Sequence, residues 1–227
     1  TIFAGLIVRV FDLIKVNFLV TCVFLLSNFY LYVLFFAAER LKFGFLLVIL
    51  GLSIQSGKML KNSLFLLSLS AHFQMVLVLA PKAFEMVIAT LVRALKVRRF
   101  NLTILILLVP FLLLPLVSDF LLEKLQNYGD SRSLVDYARV SCFLILALWY
   151  AGKKSARSVL IMFVPIFIAV YFVGGDRVNM IAYFYFLAYG LTYRNGLNIG
   201  VLLTTVYFLI KTIFFIQSII NVGHGFS

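Results

Sequence analysis

Acidic residues are scarce in this chain, eight in 227, against twenty Lys and Arg. Charged residues of either sign make up 12% of the sequence, where a soluble domain carries roughly 25%. That shortage excludes an ordinary water-soluble domain built around a large core. Histidine and cysteine are rarer still, two of each. Cys22 and Cys142 both sit inside apolar runs, read as packing residues, and define no redox compartment. No second His or Cys stands at ligand spacing from His72, so a metal centre is not expected. There is no Walker loop, no GxSxG elbow, no HExxH and no dinucleotide fingerprint, which removes the common soluble-enzyme mechanisms. Internal repeats and low-complexity linkers are absent too, and one membrane domain over residues 1–227 is the economical reading. No signal-peptide cleavage pattern is present and the first residue is Thr1, so a piece of a longer chain is expected.

What is abundant is apolar: 64% of the residues are hydrophobic and the mean hydropathy is +1.12. The fold class that follows is all-α, a polytopic integral membrane helical bundle. The 25 Phe and 11 Tyr suit lipid-facing surfaces and interfacial belts. A net charge of +12 would point to nucleic acid in a soluble protein. Here the cations are spread between apolar segments with no continuous basic face interleaved with aromatics, so nucleic acid is not an expected partner. They read as topology signals and as contacts to membrane lipid or phosphate.

The segments follow in order. Thr1–Lys15 reads as an interfacial helix or the tail of a span. Val16–Ala38 is long enough to cross a bilayer, which takes about 20 residues. Leu41–Ser56 is shorter and uses flanking charges as anchors. Asn62–Ala80 reads as a span ended by Pro81, and Pro81–Phe100 as amphipathic and basic. Leu102–Ser118, Val140–Ala151, Val159–Val173, Val178–Tyr193 and Leu197–Ile216 complete about eight membrane segments. Asp119–Arg139 is the longest polar stretch. A single crossing through His72 would put Lys58 and Lys61 opposite the basic run Arg93–Arg99, against the cytoplasmic Lys/Arg bias. A re-entrant hairpin between His72 and Pro81 removes the conflict. It also brings Arg40, His72, the 119–139 loop and Arg177 to one extracytoplasmic face.

Five places carry candidate chemistry. Arg40, beside Glu39, stands at the mouth of a span and is either an interfacial anchor or a planar phosphate donor. His72 in SLSAHFQMVL is either a helix-helix hydrogen bonder or a base, since imidazole titrates near pH ~6.5. Asp176 and Arg177 follow Gly174 and Gly175, which predict a tight turn with that pair at its tip. The loop Tyr128–Val140 mixes Tyr, Asp and Arg, including Arg132 and Arg139, a composition that suits sugars and anions or a plain solvated loop. Lys211 lies in mid-segment with no acid within one turn and is expected to face a polar cavity. Asn101-Leu-Thr103 fits the glycosylation pattern by a three-residue match alone.

The stretch AERLKFGFLLVILGLSIQSGKMLKNSLFLLSLSAHFQMVLVLAP resembles the central part of the EpsG-like and Wzy-type bacterial polysaccharide polymerases. Arg40, the Lys58–Lys61 turn and His72 fall where such proteins carry an Arg, a Lys-containing turn and a His. GGDRVNMIAYFYF and YFLIKTIFF resemble their C-terminal Arg-containing span and following Tyr and Lys segment, matched by Arg177, Tyr207 and Lys211. The resemblance implies the C-terminal part of a helical GT-C class glycosyltransferase. Its substrate would be an oligosaccharide on undecaprenyl diphosphate, joined at the outer face of the bacterial cytoplasmic membrane. His72, Arg40 and Arg177 would be catalytic, with Glu39, Lys211, Arg132, Arg139 and Asp176 binding substrate. No metal or other cofactor would be needed, and a chain-length regulator would be a fitting partner. An O-antigen ligase shares the same phosphate logic. A transporter or flippase, with His72 and Lys211 in proton coupling, is the reading from another class.

Overall fold

Inside lipid, peptide groups have no water to bond, and a helix satisfies them within one segment. The computed structural model describes residues 2–36, 39–72, 74–97, 134–173 and 175–222, and within them all side chains but those of 39–40, 94–97, 172–173, 176–177 and 222. The regular elements are α1 Ile2–Leu13, α2 Phe18–Ser27, α3 Phe29–Phe36, α4 Glu39–Ser53, α5 Lys58–Ala71, α6 Gln74–Val97, α7 Leu134–Val173, α8 Gly175–Gly190, a 3-10 turn Tyr193–Gly196, and α9 Ile199–Val222. Among the described residues the fold is therefore all-helical, as the composition predicts. Three stretches are long and apolar enough to cross a membrane, Gln74–Arg93, Leu134–Tyr171 and Tyr193–Asn221, or four if α2 and α3 form one bent span. The expected count of about eight is not reached there, and Leu102–Ser118 lies outside the described residues. The chain forms two compact units, Thr1–Val76 with Leu187–Ser227, and Leu77–Phe186.

In the first unit α4 and α5 run antiparallel, with Gly44 against Met75 and Gly51 against Phe65. The two glycines let the backbones approach, the usual means of packing helices where burial in lipid gives little drive. α4 also packs on α1 and α3, and α9 on α2 and α3. The single span expected over Val16–Ala38 is bent by 49° between α2 and α3. Asn28 makes that break: its N–H donates to the Phe24 carbonyl, and its Oδ1 accepts from the Tyr30 N–H at 3.0 Å. Two carbonyls at the α2 end are then taken up by side chains, Leu26 by the Tyr32 hydroxyl at 3.0 Å and Ser27 by that of Thr212 at 3.1 Å. A polar residue in the middle of an apolar run was the signal.

The second interruption falls at His72, where the re-entrant hairpin is expected to begin. α5 stops at Ala71, His72 is extended (φ −160, ψ 134), and one helix then runs from Gln74 to Val97 straight through Pro81. Pro81 therefore ends nothing. Proline removes a single donor, and its ring crowds the carbonyls one turn back. The Tyr185 hydroxyl donates to one of those, the Val78 carbonyl, at 3.0 Å. Pro165 likewise lies inside α7.

The second unit turns on Gly152. A straight helix of the length of α7, 40 residues, would be about 60 Å long. Yet a Cβ added to Gly175, two residues past its end, would overlap the Asp136 carboxylate near its start. The helix must fold back, and Gly152 is the residue with non-helical angles (φ 65, ψ 173). Its arms, residues 134–151 and 153–173, are about 27 and about 31 Å long, each matched to a bilayer core. The two segments expected at Val140–Ala151 and Val159–Val173 are thus both helical, with a one-residue turn in place of a loop. α8 then runs alongside the first arm in the same direction, since Phe143 meets Tyr183, and Tyr150 meets Phe186. Tyr183, Phe163 and Phe186 are buried between these segments. Cys142, expected to be packed, is instead exposed on the first arm.

Candidate functional site

The best-built polar cluster lies where α7 starts and α8 starts. Asp136 sits in the first turn of α7, where a carboxylate is favoured by the helix dipole. It is 8% exposed, and its Oδ1 accepts from Arg139 Nη1 at 3.2 Å and from Asn179 Nδ2 at 3.3 Å. Gly175 opens α8 directly against it, so the same carboxylate faces the positive end of a second helix. One carboxylate is thus shared by a guanidinium, an amide and a helix terminus.

Two further features mark the cluster. Asn179 is 3% exposed, and its Oδ1 has no hydrogen-bond partner among the described residues. Arg139 keeps 40% of its side chain exposed while anchored on Asp136. The half-exposed guanidinium can engage an anionic group while it stays anchored on Asp136.

The sequence placed Asp176 and Arg177 at the tip of a glycine turn; they instead occupy the first turn of α8, immediately after Gly175. Their backbone is thereby at the same end of the second unit as Asp136 and Arg139. The last part of the expected polar loop, Leu134–Arg139, is helical. Arg132, and the side chains of Glu39, Arg40, Asp176 and Arg177, lie outside the described residues, as does Asn101-Leu-Thr103. Lys153, Lys154 and Arg157 mark the opposite end of the unit, just past Gly152.

In the first unit, Glu39 and Arg40 open α4. Because Gly44 faces Met75 and Gly51 faces Phe65, the α4 N-terminus and His72 are at one end of the α4–α5 pair. Lys58 and Lys61 begin α5 at the other, with Lys61 over the Phe65 ring. His72 Nδ1 accepts the Gln74 N–H at 3.1 Å. That bond fixes the tautomer: a nitrogen that accepts carries no proton, so neutral His72 bears its hydrogen on Nε2. His72 is thus the cap of α6 as well as a candidate for proton chemistry.

Lys211 departs from its expected polar cavity. Its ammonium lies 5.1 Å from the Phe29 ring centroid and 5.8 Å from that of Tyr207, a cation–π setting beside the Asn28 break. Glu85, which the sequence did not single out, pairs with Lys82 and accepts from Ser158 Oγ at 3.0 Å, joining α6 to α7. The spacing Lys82–Glu85 was its signal, as Asp136–Arg139 was for the cluster; Asn179 offered none, because its partner is 43 residues away. Compared with family models, curated proteins and solved structures, the chain matches none.

Proposed function

We propose that this chain is a membrane-embedded glycosyltransferase that polymerises oligosaccharide repeat units carried on undecaprenyl diphosphate. The reading rests on the resemblance of the Arg40–His72 and Arg177–Lys211 stretches, and one observation supports it beyond that. The start of α8, with Arg177, shares an end of the second unit with the Asp136–Arg139–Asn179 cluster. Lys153, Lys154 and Arg157 occupy the other end, and none makes an ion pair among the described residues; by the Lys/Arg bias that end is read as cytoplasmic and the Arg177 end as outward. A departing lipid diphosphate accumulates negative charge, so fixed guanidinium groups there lower the barrier.

In this scheme Arg177 and Arg139 of the second unit meet the lipid-linked substrate; in the first unit Arg40 is a phosphate donor and His72 moves a proton. The His72 substitution that separates roles is His72→Asn, whose carbonyl oxygen also caps a helix. Elongation of lipid-linked oligosaccharide by the reconstituted protein is the measurement. Losses of at least about a hundredfold in Arg40→Ala, Arg177→Ala and His72→Asn are expected. Undiminished long-chain product in all three removes the proposal.

A transporter or flippase is the second reading, favoured by one observation. The span α2–α3 is discontinuous at Asn28 with Lys211 alongside, and substrate and ion sites of transporters are built on such breaks. Product formation without any ion gradient decides for the enzyme, and gradient-dependent movement of lipid-linked oligosaccharide without elongation decides for transport.

A further inference from the structure

The Gly152 reversal carries a group of side chains that the proposed chemistry does not use. Trp149, one turn before it, is 78% exposed, the most open aromatic among the described residues of the second unit. Lys153, Lys154 and Arg157 open the second arm just past it, all exposed, and none makes an ion pair among the described residues. The acid nearest along the packing, Glu85, is already engaged by Lys82 and by Ser158, the residue after Arg157. The reversal lies at the end of two arms that each match a bilayer core, which sets Trp149 at headgroup depth and the three cations just outside.

We infer that the Gly152 turn is a binding site for anionic phospholipid headgroups, with Lys153, Lys154 and Arg157 meeting the phosphate and Trp149 lying among the acyl-chain ends nearest the glycerol. The argument is one of complementarity. Three cations within five residues, unneutralised and at a membrane boundary, lower the free energy of an anionic lipid beside them relative to a zwitterionic one. A one-residue turn concentrates them further, because it projects them from the end of a rigid hairpin instead of from a loop. At the other end of the same unit Arg139 is already paired with Asp136, so a weaker preference is expected there.

The chain contains a single tryptophan, so its fluorescence reports this site alone. The purified protein is reconstituted in phosphatidylcholine bilayers doped with brominated phosphatidylglycerol or, at equal mole fraction, brominated phosphatidylcholine. Quenching of Trp149 by the anionic lipid should exceed that by the zwitterionic lipid by at least about threefold in apparent association. The excess should fall to none in the Lys153→Gln, Lys154→Gln, Arg157→Gln variant, and should shrink in high salt. Moving the reporter to the opposite end, with W149F and V135W, should give a clearly smaller excess for the anionic lipid. Equal quenching at Trp149 in the unaltered protein overturns the inference. So does an excess that survives the triple substitution, or one that is as large at position 135.

Discussion

The two units interrupt their helices by different means. In the first, the breaks at Asn28 and His72 are held by side chains: Asn28 closes one helix and opens the next, Tyr32 and Thr212 bond the freed carbonyls, and His72 caps α6. In the second, they are made by glycines, Gly152 in a backbone conformation with positive φ and Gly175 where another atom would collide with Asp136. The difference is one of solvent. A break within apolar depth exposes peptide groups that only protein can satisfy, whereas a break at the membrane boundary needs conformational freedom and has water for the rest.

The sharpest way to break this comparison is at Gly175. Gly175→Val forces a side chain into the space of the Asp136 carboxylate, so overpacking and loss of the Arg139 and Asn179 bonds add. A destabilisation of about 3 kcal/mol or more is expected, read as a lower midpoint in denaturing-detergent titration of the folded protein. A variant as stable as the parent would mean Asp136 is not fixed there.

Gly152→Ala tests strain in isolation, because a Cβ at that position meets nothing within 4 Å. Holding a non-glycine residue in that region costs of order 1–3 kcal/mol. The same titration should show it, with little change in elongation activity. Breaking the reversal outright would instead separate Asp136 from Gly175.

Thr212→Val and Tyr32→Phe examine the side-chain-held break. Each strands one carbonyl of the α2 end, for a loss of about 1 kcal/mol apiece. Their effects should be roughly additive in a double variant, since the two hydroxyls serve different carbonyls. A loss no larger than that of a surface substitution would show that water reaches Asn28.

The smallest structural effect belongs to His72→Asn, expected to shift stability by under about 1 kcal/mol because the acceptor at the cap is kept. His72→Ala should shift it more. Equal midpoints for the two variants would remove the capping role read from the Nδ1 bond.

How much of this could be read beforehand differs from residue to residue. The helical class followed from composition, and the hairpin arms from the apolar runs on either side of Lys153 and Lys154. Pro81 misled because proline's rule for soluble helices is relaxed where a neighbour, here Tyr185, can bond the crowded carbonyl. Asn28 was overlooked because one amide inside a long apolar run hardly alters its hydropathy. Among candidate site residues, Arg139 and the Arg177 segment were visible as charges in a scarce background. Asp136 was legible only as part of a polar stretch, and Asn179 not at all.

The sequence by itself determined that this is a helical membrane chain, since so few charges and so much apolar surface leave lipid as the only favourable surroundings. It also determined where cations gather, because their positions along the chain are covalent facts. Only the tertiary structure decided which helices bend and which reverse, and that Asp136, Arg139 and Asn179 share one carboxylate against the start of α8. Those outcomes depend on hydrogen bonds and close packing between residues far apart in sequence, to which no local pattern is sensitive.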